Sequence, residues 1–360
     1  MEKQRDLLFF CLVLACSSSF LPWVSSSSAE GGPEKAPPKL LFVFGDSYAD
    51  TGNTEELSVA WVPPYGSTFP GEPSGRFSDG LVLTDYVASY FGIESPHPYR
   101  LRNHVNKTVL QHGMNFAYGG TGVFDTMAKE PNMTTQIDFF QSSVEQNVYT
   151  KHDLSSSVAL VSLAGNDYAA FAMKKGKPEE LPSFIASVID QLIHNLKRIR
   201  GLGVGKIMVT ALGPLGCLPQ LTAVSSFKNC SSKWDSIARL HNLKLRQSLQ
   251  ELKTNESITG SSCLSSSSSA LTVLDLDSAF ISAFDMLRHR SGELSENPLK
   301  PCCVGMTAGY SCGSVGDKGV KNYVVCDHPE TSFFWDNIHP SQYGWRAVYS
   351  FLGSSLHHLL

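Results

Sequence analysis

The chain has 360 residues, of which 42% are hydrophobic, and 33 acidic side chains against 29 basic ones give a formal net charge of −4. That length and apolar content suit a large α/β enzyme core. The slightly acidic balance excludes the basic footprint of a nucleic-acid-binding protein.

The first residues read as a secretory signal. Lys3 and Arg5 precede the apolar run Leu7 to Cys16, and small residues follow, with Ser27-Ser28-Ala29 a plausible cleavage site. Glu2 and Asp6 depart from that pattern. An uncleaved signal anchor is the alternative, although the apolar run is short for a membrane span. The expected organisation is a signal peptide over residues 1–29, a single domain over 30–360, and secretion. No later stretch is long and apolar enough to cross a membrane.

Leu40-Leu41-Phe42-Val43-Phe44 then runs straight into Gly45-Asp46-Ser47. A short unbroken apolar run predicts a strand buried on both faces. Gly45 permits a sharp turn after it. Ser47 would emerge at the carboxyl end of the strand, where open α/β sheets place their ligands. It is a candidate nucleophile, provided that the chain supplies a base. Residues 54–80 are rich in Pro and Gly and carry Trp61, Tyr65, Phe69 and Phe77, the composition expected of a lid or binding loop.

Further strands are expected over Met114–Ala117, ending at Gly119-Gly120, and over Val158–Ala164, ending at Gly165-Asn166-Asp167. Lys206–Leu212, ending at Gly213-Pro214, and Leu271–Leu276 continue the series. Apolar residues at helical spacing from Phe184 to Leu196 and from Trp234 to Leu249 predict amphipathic helices between them. A further helical stretch is expected over Tyr343–Leu352. Alternation of this kind implies a mostly parallel sheet with helices on both faces. Gly201-Leu202-Gly203-Val204-Gly205-Lys206 hints at a phosphate loop, but it lacks the Lys-Ser/Thr ending and precedes a strand. Ser261–Ser269 reads as a surface loop.

Removal of the signal leaves Cys217, Cys230, Cys263, Cys302, Cys303, Cys312 and Cys326, an odd number. Clustered cysteines in an oxidising compartment read as disulfides, with Cys263 the expected free thiol. No histidine stands at metal-like spacing among them, so no metal is expected. Asn106, Asn132, Asn229 and Asn255 begin N-x-[ST] sequons and are candidate glycosylation sites.

The candidate base is His339 in Asp336-Asn337-Ile338-His339-Pro340. An Asp three residues ahead can meet the imidazole across one turn, fix its tautomer and stabilise the imidazolium. Taken alone, such a pair reads as readily as a capped turn beside a surface histidine. Oxyanion donors are on offer from the backbone N–H of Ser47, from Gly119-Gly120, and from the Asn166 side-chain amide. Each follows a strand, so all would lie along one edge of the sheet.

With these blocks in order, Phe44-Gly45-Asp46-Ser47, Asn115-Phe116-Ala117-Tyr118-Gly119-Gly120, Gly165-Asn166-Asp167 and Asp336-Asn337-Ile338-His339-Pro340, the chain resembles the GDSL or SGNH lipase/esterase family in its secreted plant-type branch. Arg76–Gly80 and Gly213–Cys217 also resemble stretches of that branch. The resemblance implies a flavodoxin-like three-layer α/β/α sandwich and a secreted serine esterase that needs no cofactor. It implies Ser47 as nucleophile, His339 as base and Asp336 as orienting acid. Ser47, Gly120 and Asn166 would supply the oxyanion hole, with Gly119 an alternative to Gly120. The substrate would be a lipid or small-molecule ester. An acyltransferase with the same triad, or a non-catalytic wall or carbohydrate-binding protein on the same scaffold, are the competing expectations. Tyr48 stands where the family name has Leu.

Overall fold

The apolar run ahead of Gly45 forms strand β1 (Leu41–Gly45), buried along its whole length. A computed structural model describes residues 37–258, 271–289 and 297–359. The expected signal segment, Cys263 and the serine run lie outside those residues. The described residues belong to one compact unit.

The strands that follow are β2 (His97–Pro98), β3 (Gly113–Asn115), β4 (Val158–Ser162), β5 (Lys206–Thr210) and β6 (Leu271–Leu274). The helices are α1 (Leu83–Tyr90), α2 (Met133–Glu145), α3 (Lys151–Ser155), α4 (Gly165–Met173) and α5 (Leu181–Gly201). After them come α6 (Pro219–Thr222), α7 (Ser232–Ile258), α8 (Leu276–Arg288), α9 (Gln342–Tyr349) and α10 (Gly353–His357).

The sheet runs β2-β3-β1-β4-β5-β6, and every pairing in it is parallel. Without the two-residue edge strand β2, this is the doubly wound flavodoxin-like order. Its switch point lies between β1 and β4. Alternate residues of β1 feed two cores. Phe42 and Phe44 point to the side of Ile137 and Phe140 of α2 and Ile185 of α5. Leu41 and Val43 point to the side of Leu83 of α1, Phe284 of α8 and Trp345 of α9. Full burial of each such side chain is worth roughly 1.5–3 kcal/mol.

All five expected strands are present, but four of them stop two residues before the expected end. Local features mark three of these ends. The Asn115 side chain accepts from Ala117 N–H, Ala164 takes a left-handed conformation with φ 91°, and Asp275 caps α8 by accepting from Ser278 N–H. The Gly-rich stretch before Lys206 joins the end of α5 to the start of β5, at the opposite edge of the sheet from Ser47.

A hairpin, β7 (Cys303–Gly305) with antiparallel β8 (Tyr323–Val325), has no counterpart in the sequence reading. Two of the three described disulfides, Cys302–Cys326 and Cys303–Cys312, staple it, and the third joins Cys217 to Cys230.

Candidate active site

Ser47 sits on a turn held from two sides. Gly45 N–H donates to Gln136 Oε1 of α2, and Gln136 Nε2 donates back to the Gly45 carbonyl. Asp46 N–H donates to Ser162 O of β4 at 3.1 Å. A Cβ on Gly45 would stand 2.7 Å from that same carbonyl, so the close approach of β1 to β4 requires glycine here. Asp46 is buried beside Ser47. Burial pushes its carboxyl up to about 7, against the lowering effects of the Tyr48 N–H and of His339.

The loop before α9 brings in the candidate base. His339 Nε2 lies 2.8 Å from Ser47 Oγ. His339 Nδ1 lies 2.8 Å from Asp336 Oδ2 and 3.0 Å from Oδ1. Ile338 and His339 N–H both donate to Asp336 Oδ1 at 2.8 Å. Tyr65, expected in a lid or binding loop, donates its hydroxyl to Asp336 Oδ2 at 2.7 Å. Burial would raise the Asp336 carboxyl. The His339 charge, the hydrogen bond from His339 and the Tyr65 hydroxyl instead hold it below the ordinary carboxylate value. Ser47, Asp336 and His339 are each at most 8% exposed.

The segment after β3 carries the two candidate glycines, and their surroundings differ. Gly119 N–H donates to Asp50 Oδ2 and Thr54 Oγ1 at 2.9 and 2.7 Å. Asp50, fully buried, also accepts from the N–H groups of Gly52, Asn53 and Thr54. Gly120, with φ +78°, lines the cavity at Ser47. The Thr126 hydroxyl donates to the Gly120 carbonyl at 2.6 Å. Asn166, at the start of α4, lines the same cavity and donates one amide hydrogen to Thr121 O at 2.9 Å. Asp167, expected to be a turn residue, accepts from Val123 and Phe124 N–H. Its carboxylate therefore holds the loop that carries Gly120, and burial raises it to about 6.

A cavity of about 330 Å³ opens beside Ser47. Its walls are mostly apolar and include Tyr48, Met127, Met173, Leu215 and Phe280. None of the aromatics of residues 54–80 lines it, which corrects the expectation of a binding loop. Phe77 packs on the His339 ring at 5.1 Å, and Trp61 donates to Thr54 O at 2.8 Å. Phe77 and Tyr65 thus brace His339 and Asp336 from outside the cavity, whereas Phe69 is exposed. Tyr48 does shape the cavity. Its hydroxyl also donates to Ile338 O at 3.0 Å, joining the serine turn to the histidine loop.

The hydrolase elbow pattern G-x-S-x-G, expected to be absent from this chain, does occur once, as Gly309-Tyr310-Ser311-Cys312-Gly313. Ser311 is exposed between β7 and β8, and its hydroxyl faces Ser314 Oγ at 3.3 Å. It lacks the strand-to-helix turn that such an elbow needs. Of the sequons, Asn106 and Asn229 are exposed and Asn132 is half-buried, capping α2 through Thr135 N–H. Asn255 falls in α7, but its side chain lies outside the described residues.

A serine hydroxyl, an imidazole and a buried carboxylate in hydrogen-bonded line, at the carboxyl edge of a parallel α/β sheet, define a serine hydrolase. A family model described as GDSL-like lipase/acylhydrolase matches residues 41–352. Two GDSL esterase/lipases of Arabidopsis thaliana are similar over nearly the whole chain. At5g03610 is 49% identical over 97% of this chain and 96% of its own length. At3g09930 is 46% identical over 97% of each. Among solved structures, LAE5, an alpha/beta hydrolase enzyme from the metagenome of Lake Arreo, is similar at a TM-score of 0.41 and 12% identity, covering 91% of this chain and 98% of that one. That likeness is too remote to carry an argument. The chain belongs to the GDSL-like lipase/acylhydrolase family and is a carboxylic ester hydrolase.

Proposed function

We propose that Ser47 is the nucleophile of this ester hydrolase, His339 its base and Asp336 the acid that orients the base. The observation that carries the reading is the line from Ser47 Oγ through His339 to Asp336, with 2.8 Å at each contact, opening onto an apolar cavity. His339 takes the Ser47 proton as the oxygen attacks the ester carbonyl, then gives it to the departing alcohol. Water attacks the acyl-enzyme with His339 as base again. The developing oxyanion is held by the N–H of Ser47, the N–H of Gly120 and the free hydrogen of the Asn166 amide. Gly120 is preferred to Gly119 because two acceptors already engage the Gly119 N–H. The apolar cavity takes the acyl part of a lipid or small-molecule ester.

We also infer that residues 1–29 are a signal peptide and residues 30–360 a single secreted hydrolase domain, with glycans on the exposed sequons. Three disulfides and the surface positions of Asn106 and Asn229 support this.

Ser47→Ala tests the mechanism. It should lose roughly three orders of magnitude or more in kcat while remaining folded. Turnover like that of the wild type would remove the reading. Product analysis with added alcohols separates hydrolysis from acyl transfer by the same triad.

A further inference from the structure

We infer that Tyr65 is a positioning residue that acts on the reaction through Asp336. This rests on the reading of Asp336 as the orienting acid. An orienting carboxylate must be kept in one rotamer, because its oxygen sets both the tautomer and the tilt of the imidazole. On Asp336, Oδ1 is held by two backbone N–H groups of its own loop. Oδ2, the oxygen nearer His339 Nδ1, has the Tyr65 hydroxyl as its other donor, from a segment 271 residues away. The loop's backbone thus holds one carboxylate oxygen, and the phenol holds the other. Without the phenol, Oδ2 would have only the imidazole, the group it has to orient.

The phenol is itself held rigidly. Tyr65 is 3% exposed and packs edge-on against Trp335 at 6.1 Å. It belongs to a small core formed with Cys302, Cys303, Cys312, Tyr323 and Trp335. The stapled hairpin makes up most of that core. It also grips the chain just ahead of Asp336, since Cys302 N–H donates to Phe334 O and Cys303 N–H to Trp335 O. The hairpin and the Pro-rich segment, neither of which lines the cavity, thus meet at the catalytic acid. A charge-assisted hydrogen bond in a buried site is among the stronger ones available to a side chain.

The test is Tyr65→Phe, which keeps the ring and removes one oxygen. kcat per titrated Ser47 should fall roughly 10- to 100-fold, the size of loss seen when the outer partner of a metal-ligating side chain is removed. KM should stay within about twofold, because Tyr65 lines no part of the cavity. Labelling of Ser47 by a fluorophosphonate should slow by a similar factor. In an Asp336→Ala background the same change should cost almost nothing more, since no acceptor is left for the phenol. Full titrated activity in Tyr65→Phe overturns the inference, as do equal losses in both backgrounds. A lower melting temperature with unchanged titrated rates means a structural role and also overturns it. If Tyr65→Phe does not fold, proton NMR of the wild type decides. The downfield His339 Nδ1 proton should cross-relax with a tyrosine hydroxyl proton, and absence of that cross-relaxation overturns the assignment. A wild type that neither hydrolyses esters nor reacts with the fluorophosphonate would instead sink the esterase reading itself.

Discussion

Asn166→Ala tests the oxyanion hole, because it deletes the one donor there that is a side chain. The amide has two hydrogens. One donates to Thr121 O at 2.9 Å, within the loop that follows Gly120. The other is the proposed donor to the oxyanion, at the wall of the cavity beside Ser47. The two losses appear in different measurements. Losing an oxyanion donor raises the barrier by about 2.7–4 kcal/mol, a fall of roughly 10²–10³ in kcat. KM should change far less, because the charge that the donor stabilises develops only in the transition state. Losing the Thr121 contact removes one ordinary hydrogen bond, worth about 1 kcal/mol of stability. In a chain of this size that is a fall of roughly 2–4 °C or less in melting temperature. Asp167 keeps its two backbone donors in the variant, so the loop bearing Gly120 stays tied at its far end. The assay is kcat per titrated site and Tm on the same preparations, with a short-chain chromogenic ester. A kcat within about threefold of wild type, with only the Tm lowered, would refute the reasoning and leave Asn166 as a turn residue.

Tyr48→Phe removes the hydroxyl that ties the serine turn to Ile338; kcat should fall roughly two- to tenfold, as for one neutral hydrogen bond of about 1 kcal/mol, and an unchanged kcat would dismiss that tie. Asp46 carries a pH dependence of stability. Its folded value, about 7, lies above the ordinary 3.8, so the unfolded chain ionises first and stability falls as pH rises from about 4 to about 7. The full effect is on the order of 4 kcal/mol. Asp46→Asn keeps the acceptor for Tyr48 N–H and should gain stability at pH 8 but little at pH 4; equal Tm changes at both would count against the buried carboxyl. Asp167→Asn weakens one of two contacts to the loop of Gly120, so it should lower Tm by a few degrees and kcat severalfold, and a kcat loss as large as that of Asn166→Ala would mean a direct role. Secreted protein should begin near Glu30 and lose mass on deglycosylation; an intact amino terminus would dismiss the signal peptide.

The sheet was legible in the sequence because its strands are buried on both faces, and such strands read as unbroken apolar runs such as Leu41 to Phe44 and Val158 to Val161. Ser47, Asn166 and His339 were legible for a related reason. Each follows a strand or leads into a helix within a short block, and strand ends in a parallel sheet lie along one edge. The short hairpin and edge strand left no such pattern. His97–Pro98 has only two residues, and β7 and β8 are held by cystines and backbone pairing instead of a two-sided apolar core. The supporting contacts depend on pairs far apart in the chain, which a local pattern does not record. Gln136 holds Gly45 from 91 residues away, Asp50 holds Gly119 from 69, and Tyr65 holds Asp336 from 271. In sequence Tyr65 is one aromatic in a Pro-rich stretch and Asp167 one carboxylate in a turn. Residue type and local spacing therefore determined which groups could do chemistry and which edge of the sheet they share. Tertiary packing decided which of the two candidate glycines has its N–H already engaged, where the aromatic rings point, and what holds Asp336, because a hydrogen bond depends on where the folded chain brings two atoms together.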